Sequence, residues 1–276
     1  MSRRLPRAAA AIAISVGAVA AVWLALPFLT ERAVDLIPVQ MEERLGDREI
    51  AEIVDKPCVT TAGIESLDQL VERLTAHANL PFHAKVVVDG EDIVNAFALP
   101  GGRILVLRGL LDQAQSADEL AGVLAHELTH ALKRHPLRHE MAEAGIGVLV
   151  EAMVGYNSTG NVGALMASFT YTRAEEAEAD AGALALLKQA GISADGFADF
   201  FERLEGSAEA NIPAYLSNHP TPADRLATVR AAAVKGTTPA LSPAEWTALQ
   251  HICINWPKAK STRSSVTPNK VQPPKP

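Results

Sequence analysis

Aromatic residues are scarce, at 5% of the chain, and cysteine occurs only twice, as Cys58 and Cys253. Neither cysteine has metal-ligand spacing, so a thiolate zinc site is excluded and any zinc must be held by histidine and carboxylate. The chain also lacks a basic excess: its formal net charge is −7. No basic face and no interleaving of aromatic with basic residues is visible, which excludes nucleic acid as the expected partner. There is no internal repeat. The apolar stretch from Ala144 to Tyr156 holds Glu151 and is too short to cross a bilayer. What remains is a chain of 276 residues with 48% hydrophobic content, enough to bury a core in one large domain or two small ones.

The N-terminus has its own character. Arg3, Arg4 and Arg7 precede a run from Ala8 to Leu29 that carries no charge, and Glu31, Arg32 and Asp35 follow it. Such a run can span a membrane, with the arginines on the cytoplasmic side and the bulk of the chain exported. It exceeds a usual signal core, so residues 1–30 read as an uncleaved anchor more than as a cleaved signal. Residues 31–257 follow as the expected globular domain, and residues 258–276, rich in Lys, Ser, Thr and Pro, as a disordered tail. In an oxidising compartment Cys58 and Cys253 would pair, tying the start of the domain to its end; buried free thiols are the alternative.

The stretch from Ser116 to His135 organises the rest. Ser116 followed by Glu119 is a capping-box signature, and Leu120, Val123, Leu124, Leu128 and Ala131 recur at helical spacing. Inside it lies His126-Glu-Leu-Thr-His130. Positions four apart share one helix face, so the two imidazoles point at one place, as a zinc pair does. Glu127 lies beside them, where a carboxylate can take a proton from water.

Upstream, residues 31–50 read as an amphipathic helix broken at Pro38 and ending near Gly46, and Ile64 to Ala78 as another. Ala84 to Val88, Val94 to Leu99 and Arg103 to Leu107 read as strands, with a hairpin signal at Asp89-Gly90 and a turn at Pro100-Gly101-Gly102. They form an expected small antiparallel meander. Downstream, helical patterns cover Ala144 to Tyr156, Ala164 to Ala190, Asp195 to Glu205, Thr221 to Ala233 and a short segment from Ser242, with a loop at 157–163. The expected class is α+β: a mostly helical domain with a small antiparallel sheet. His135 and His139 read as surface residues.

Three further stretches narrow the class. Asn95-Ala-Phe-Ala-Leu-Pro-Gly-Gly-Arg-Ile-Leu-Val with Gly109-Leu-Leu, then Glu176-Ala-Glu-Ala-Asp180, then His219-Pro220 with Arg225, occur in that order around the His-Glu helix. Together they resemble the HtpX- and BepA-like metallopeptidases of peptidase family M48, which also holds the CAAX prenyl proteases.

The resemblance implies a gluzincin with one zinc ion per chain, bound by His126, His130 and Glu176, with Glu127 as general base. Asp180 would accept a hydrogen bond from a ligand imidazole, and Arg225 would support the site. From the residues alone Glu175 could also reach the metal on a rotated helix; Glu178 points away and is expected to be solvated. His219 would either stabilise the oxyanion or act as an extra zinc ligand that keeps the enzyme latent. Asn95, Ala96, Phe97, Ala98 and Leu99 form a candidate edge strand for an extended substrate, with Phe97 packed beneath it. The implied substrates are unfolded or misassembled envelope proteins in the bacterial periplasm. The alternative is an envelope chaperone or assembly factor with latent proteolysis. The single N-terminal span argues against prenyl-peptide processing in a multi-span chamber.

Overall fold

The computed structural model describes residues 34–144, 170–207, 214–219, 223–232 and 238–256, together with Gly17. Apart from Gly17, the expected anchor at 1–30 lies outside these residues, as do the apolar stretch 144–156 beyond its first residue, the loop expected at 157–163 and the expected tail. Among the described residues no helix is long and apolar enough to cross a membrane.

Helices α1 (Val39–Ile53) and α2 (Thr61–Thr75) precede strands β1 (Lys85–Asp89) and β2 (Ala96–Leu99), a 3-10 turn (Pro100–Gly102) and β3 (Arg103–Leu107). Then follow α3 (Arg108–Gln113), α4 (Ala117–Leu132), α5 (His135–Ala144), α6 (Arg173–Ala190), α7 (Asp195–Ser207), α8 (Ala214–Asn218), α9 (Ala223–Ala232) and α10 (Pro243–Gln250). The class is α+β, mostly helical.

The sheet corrects the expected meander. Its order is β1-β3-β2; β2 pairs antiparallel with β3, but β1 pairs with β3 in parallel, Lys85 opposite Arg103. Asp89-Gly90 therefore closes no hairpin: a parallel partner must be reached by a crossover, and β2 lies in that crossover. Gly90 instead leaves room for the Trp256 ring, whose Nε1 lies 1.5 Å from where a Cβ would sit. The sheet is buried on both faces. Ala96, Ile104 and Val106 join the main core with α4, while Phe97, Leu99, Leu105 and Leu107 pack with Ile50 of α1 and Val54 just after it.

Gly46 does not end α1. It lies inside the helix, where a Cβ would come within 2.2 Å of the Pro100 carbonyl oxygen. The residue marks a close approach of two backbones, which reads in sequence like a helix stop.

Helix α4 is the centre of the molecule, with every residue from Glu119 to Ala131 buried. Its N-terminus is capped by Ser116, whose hydroxyl accepts from the Glu119 N–H at 3.2 Å. The Glu119 carboxylate turns elsewhere, accepting from the Gln115 N–H at 2.8 Å and from Arg203 at 2.9 Å. Small residues let neighbours approach. A Cβ on Gly122 would sit 2.4 Å from Phe197 of α7, and one on Gly182 of α6 would sit 2.2 Å from Thr129. Across the fold, Cys58 and Cys253 are joined in a disulfide that ties the lead into α2 to the turn after α10.

Candidate metal centre and active site

Helix α4 presents His126 and His130 on one face, and α6 brings Glu176 to them. The start of α6 is set by a full capping box between Thr172 and Glu175. That box commits Glu175, which also lies 3.0 Å from His139 Nε2, so its carboxylate faces away from the imidazole pair. Glu176, His126 and His130 are wholly buried. His219, on the segment that follows α8, completes a group of four buried donors that lie within 4.8 Å of one another.

The spacings suit a metal. His126 Nε2 lies 3.0 Å from His130 Nε2, 3.3 Å from His219 Nδ1 and 3.6 Å from Glu176 Oε2. Glu176 Oε1 lies 3.5 Å from His130 Nε2 and 3.0 Å from His219 Nδ1. A tetrahedral zinc with bonds of about 2.0–2.1 Å has ligand–ligand edges of roughly 3.4 Å. Three imidazole nitrogens and one carboxylate are also donors of the right chemical class. The residues therefore fit a zinc ion.

The outer contacts hold these donors in place. His126 Nδ1 lies 3.1 Å from Asp180 Oδ1. Burial opposes charge on the His126 ring, but the Asp180 and Glu176 carboxylates override it and raise its pKa to about 9. Burial also works against the Glu176 anion, yet the surrounding imidazoles hold it well below the usual carboxylate range. Arg225 pairs with both Asp180 and Glu176. His130 has little compensation for its burial, which holds its pKa well below the ordinary value.

Glu127 points the other way, toward the sheet. Its Oε2 accepts from the Ala98 N–H at 2.9 Å, and its Oε1 accepts from the Tyr215 hydroxyl at 3.4 Å, with His219 Nε2 at 3.5 Å. Burial raises its pKa, against the pull of His219 and His126. The Ala98 contact follows from strand register. The Leu107 N–H donates to the Asn95 carbonyl, so Phe97 and Leu99 turn their backbone groups to β3 while Ala96 and Ala98 turn theirs away from it. β2 is thus an edge strand, and Glu127 holds its outward N–H. Phe97 is buried beneath the strand, on the α1 side.

Several residues here carry no motif. Tyr171 stacks on the His130 ring at 3.8 Å and donates its N–H to the Asn218 carbonyl. Asn218 Oδ1 accepts from Asn95 Nδ2 at 3.0 Å. Tyr215 stacks on His219 at 4.6 Å, and its N–H reaches the Val94 carbonyl at 3.1 Å. Tyr215 stands four residues before His219, one helical turn away, and that spacing was its one signal in the sequence. His135 corrects the surface reading: it is buried, with Nδ1 2.9 Å from His130 Nδ1. His139 is half-buried against Glu175, and Glu178 is largely exposed.

A buried His-His-Glu-His group, with a carboxylate set between it and an edge strand, has the make-up of a metal centre. The model of Peptidase family M48 matches residues 63–233, more than half of the chain, and the chain belongs to that family. Among its relatives, the metalloprotease LoiP of Escherichia coli is 30% identical over 208 residues, 67% of this chain and 78% of the relative. The beta-barrel assembly-enhancing protease of Escherichia coli is 27% identical over 231 residues, 74% of this chain and 46% of the relative. That of Yersinia pestis is 29% identical over 233 residues, with the same coverage of 74% and 46%. The chain thus spans less than half the length of these assembly-enhancing proteases.

Proposed function

We propose that this chain holds one zinc ion through His126, His130 and Glu176 and hydrolyses peptide bonds in unfolded or misassembled proteins of the bacterial cell envelope. One observation carries the reading. Four buried donors meet at one point, and the Glu127 carboxylate stands between that point and the outward edge of β2. A zinc ion there would activate water and polarise a substrate carbonyl as a Lewis acid. The protein supplies the rest. Glu127, pushed toward its protonated form by burial, receives a proton and returns it to the leaving amine. Asp180 fixes the His126 ring through Nδ1. The edge residues Asn95 to Leu99 align an extended peptide by strand addition, which reads backbone more than side chains and suits unfolded substrates.

The envelope assignment draws on two supports. Relatives are named for beta-barrel assembly, and the Cys58–Cys253 disulfide belongs to an oxidising compartment. In this reading residues 1–30 anchor the chain in the inner membrane, residues 31–257 form the periplasmic peptidase and residues 258–276 a tail.

The test uses the full chain loaded with zinc and incubated with casein, beside Glu127→Gln and a chelated control. The expected outcome is cleavage by the zinc-loaded wild type alone, with a loss of at least about a hundredfold in Glu127→Gln. Bound zinc without cleavage by wild type or by His219→Ala would remove the peptidase mechanism.

A second reading has its own observation. His219 Nδ1 lies among the metal donors and Glu127 occupies the Ala98 N–H. A substrate strand must therefore displace both, as in an assembly factor whose proteolysis is latent. Under that reading His219→Ala cleaves casein faster than wild type, and Glu127→Gln still binds unfolded protein. If His219 instead stabilises the oxyanion, its removal slows cleavage.

A further inference from the structure

The proposed zinc ligands differ in what stands behind them. His126 has the Asp180 carboxylate behind its Nδ1. Among the described residues no carboxylate stands behind His130; its Nδ1 meets His135 Nδ1 at 2.9 Å, and both rings are buried. Two facing ring nitrogens at this distance share one proton, so one donates and the other accepts. The geometry decides which. His130 Nε2 is the atom aimed into the donor group, where it offers a lone pair. Its proton therefore sits on Nδ1 and is donated to His135 Nδ1. His135 must then carry its own proton on Nε2, which faces Glu178 Oε2 at 3.7 Å. Glu178 in turn pairs with Lys133 at 3.5 Å.

The chain is bent to make this contact. Helix α4 ends at Leu132, and Arg134 takes φ 58°, the only positive φ at a non-glycine residue among the described residues. A non-glycine residue in this region is disfavoured, by about 1 kcal/mol or more. It is held there from outside: Arg134 Nε donates to the buried Glu42 carboxylate at 3.0 Å, and its Nη2 to the Ile37 carbonyl at 2.8 Å. The turn reverses the chain and carries His135 back beneath His130. Tyr171 covers the other side, stacked on His130 and 6.1 Å from the His135 ring.

We propose that His135 is a positioning residue for the metal centre: as a neutral acceptor it fixes the tautomer and ring orientation of His130. The proposal rests on His130 being a zinc ligand. It gives the centre two unequal supports, a carboxylate behind His126 and an imidazole behind His130. A neutral acceptor orients a ligand ring without adding the negative charge that a carboxylate brings.

The test is the zinc affinity of the full chain, measured by competition with a chromophoric chelator. Wild type is compared with His135→Ala, His135→Phe and His135→Asn. Losing such a partner weakens metal binding by about 10–100-fold, and that loss is expected for Ala and for Phe, which fills the space but accepts nothing. The Asn side-chain oxygen reaches the place of the imidazole Nδ1, so His135→Asn is expected to restore affinity to within a few-fold of wild type. Zinc affinity unchanged in all the variants would overturn the proposal, and so would His135→Asn binding as weakly as His135→Ala. Failure of wild type to bind zinc would instead overturn the zinc reading and the relay with it. A measurement without variants guards against misfolding: proton–nitrogen NMR of histidine-labelled, zinc-loaded wild type. The expected pattern is His130 protonated on Nδ1 and His135 on Nε2. A His135 proton on Nδ1 would end the proposal.

Discussion

Arg225 grips Asp180 with two parallel hydrogen bonds, Nε to Oδ2 and Nη2 to Oδ1, each at 2.7 Å. This forked pairing satisfies both oxygens of a buried carboxylate while leaving Oδ1 facing His126. Burial alone would raise the Asp180 pKa; the Arg225 bonds and the His126 contact reverse that and lower it. Arg225 is thus the cation that holds the buried Asp180 ionised, and it also pairs with Glu176 beside the imidazoles that keep that acid ionised.

Removing it should be costly. Arg225→Met leaves both carboxylates buried without their cation, and breaking such a pair typically costs about 3–5 kcal/mol. Arg225→Lys keeps a charge but cannot fork, so an intermediate loss is expected. Denaturant unfolding of the zinc-free chain measures both. Equal stability of all three proteins would show that Arg225 contributes nothing to the resting fold.

How far the sequence could be read follows from where its signals are local. Helix α4 was legible because its cap, its apolar spacing and its histidine pair all lie within one stretch. The grouping of His126, His130, Glu176 and His219 was legible through short motifs in a fixed order, although no single stretch contains it. The strands were legible, but their pairing was not. Alternation marks Lys85–Asp89 as a strand without saying that its partner is β3, and Asp89-Gly90 imitates a hairpin where Trp256 needs a glycine. His135 was missed because a residue five after His130 shares no helical face with it; only the left-handed Arg134 brings the rings together.

The disulfide closes a long span, with a sequence separation of 195 between Cys58 and Cys253. Loop-closure entropy grows slowly with length, and a bridge of this span contributes about 3–5 kcal/mol on the chain-entropy account. Replacing both cysteines with serine should lower unfolding stability by that order. The metal donors lie on other elements, so zinc affinity should stay within a few-fold of wild type. A double variant as stable as wild type would remove the bridge from the account of the fold.

Gly122 offers a packing test one contact away from a metal donor. A methyl group there would press on Phe197, 2.4 Å from its Cβ, and Phe197 also lies against His126 with ring centroids 5.7 Å apart. Gly122→Ala gains helix propensity of about 1 kcal/mol. Overpacking costs about 1–3 kcal/mol and should prevail, since the backbone of α7 must shift. Thermal unfolding should show a net loss. A gain would mean that α7 moves freely against α4.

The last prediction concerns pH and a carboxyl away from the site. Glu49 of α1 hydrogen-bonds Glu140 of α5, and an oxygen of each is buried. Burial raises the Glu49 pKa to about 7, opposed by the bond to Glu140, and nearby Glu52 adds to the rise. The folded state therefore binds this proton more tightly than the unfolded chain, whose ordinary value is 4.5. The sign follows from linkage: the stabilisation is fully present below pH 4.5 and is lost as pH rises through about 7. The loss should be on the order of 3 kcal/mol. Glu49→Gln keeps a hydrogen-bond donor with nothing to ionise, so its stability should fall less over this range. Unfolding free energies of the two proteins, measured between pH 5 and pH 8.5, should diverge as the pH rises, with the variant the more stable at the top. Parallel curves would show that the two acids do not share a proton in the fold.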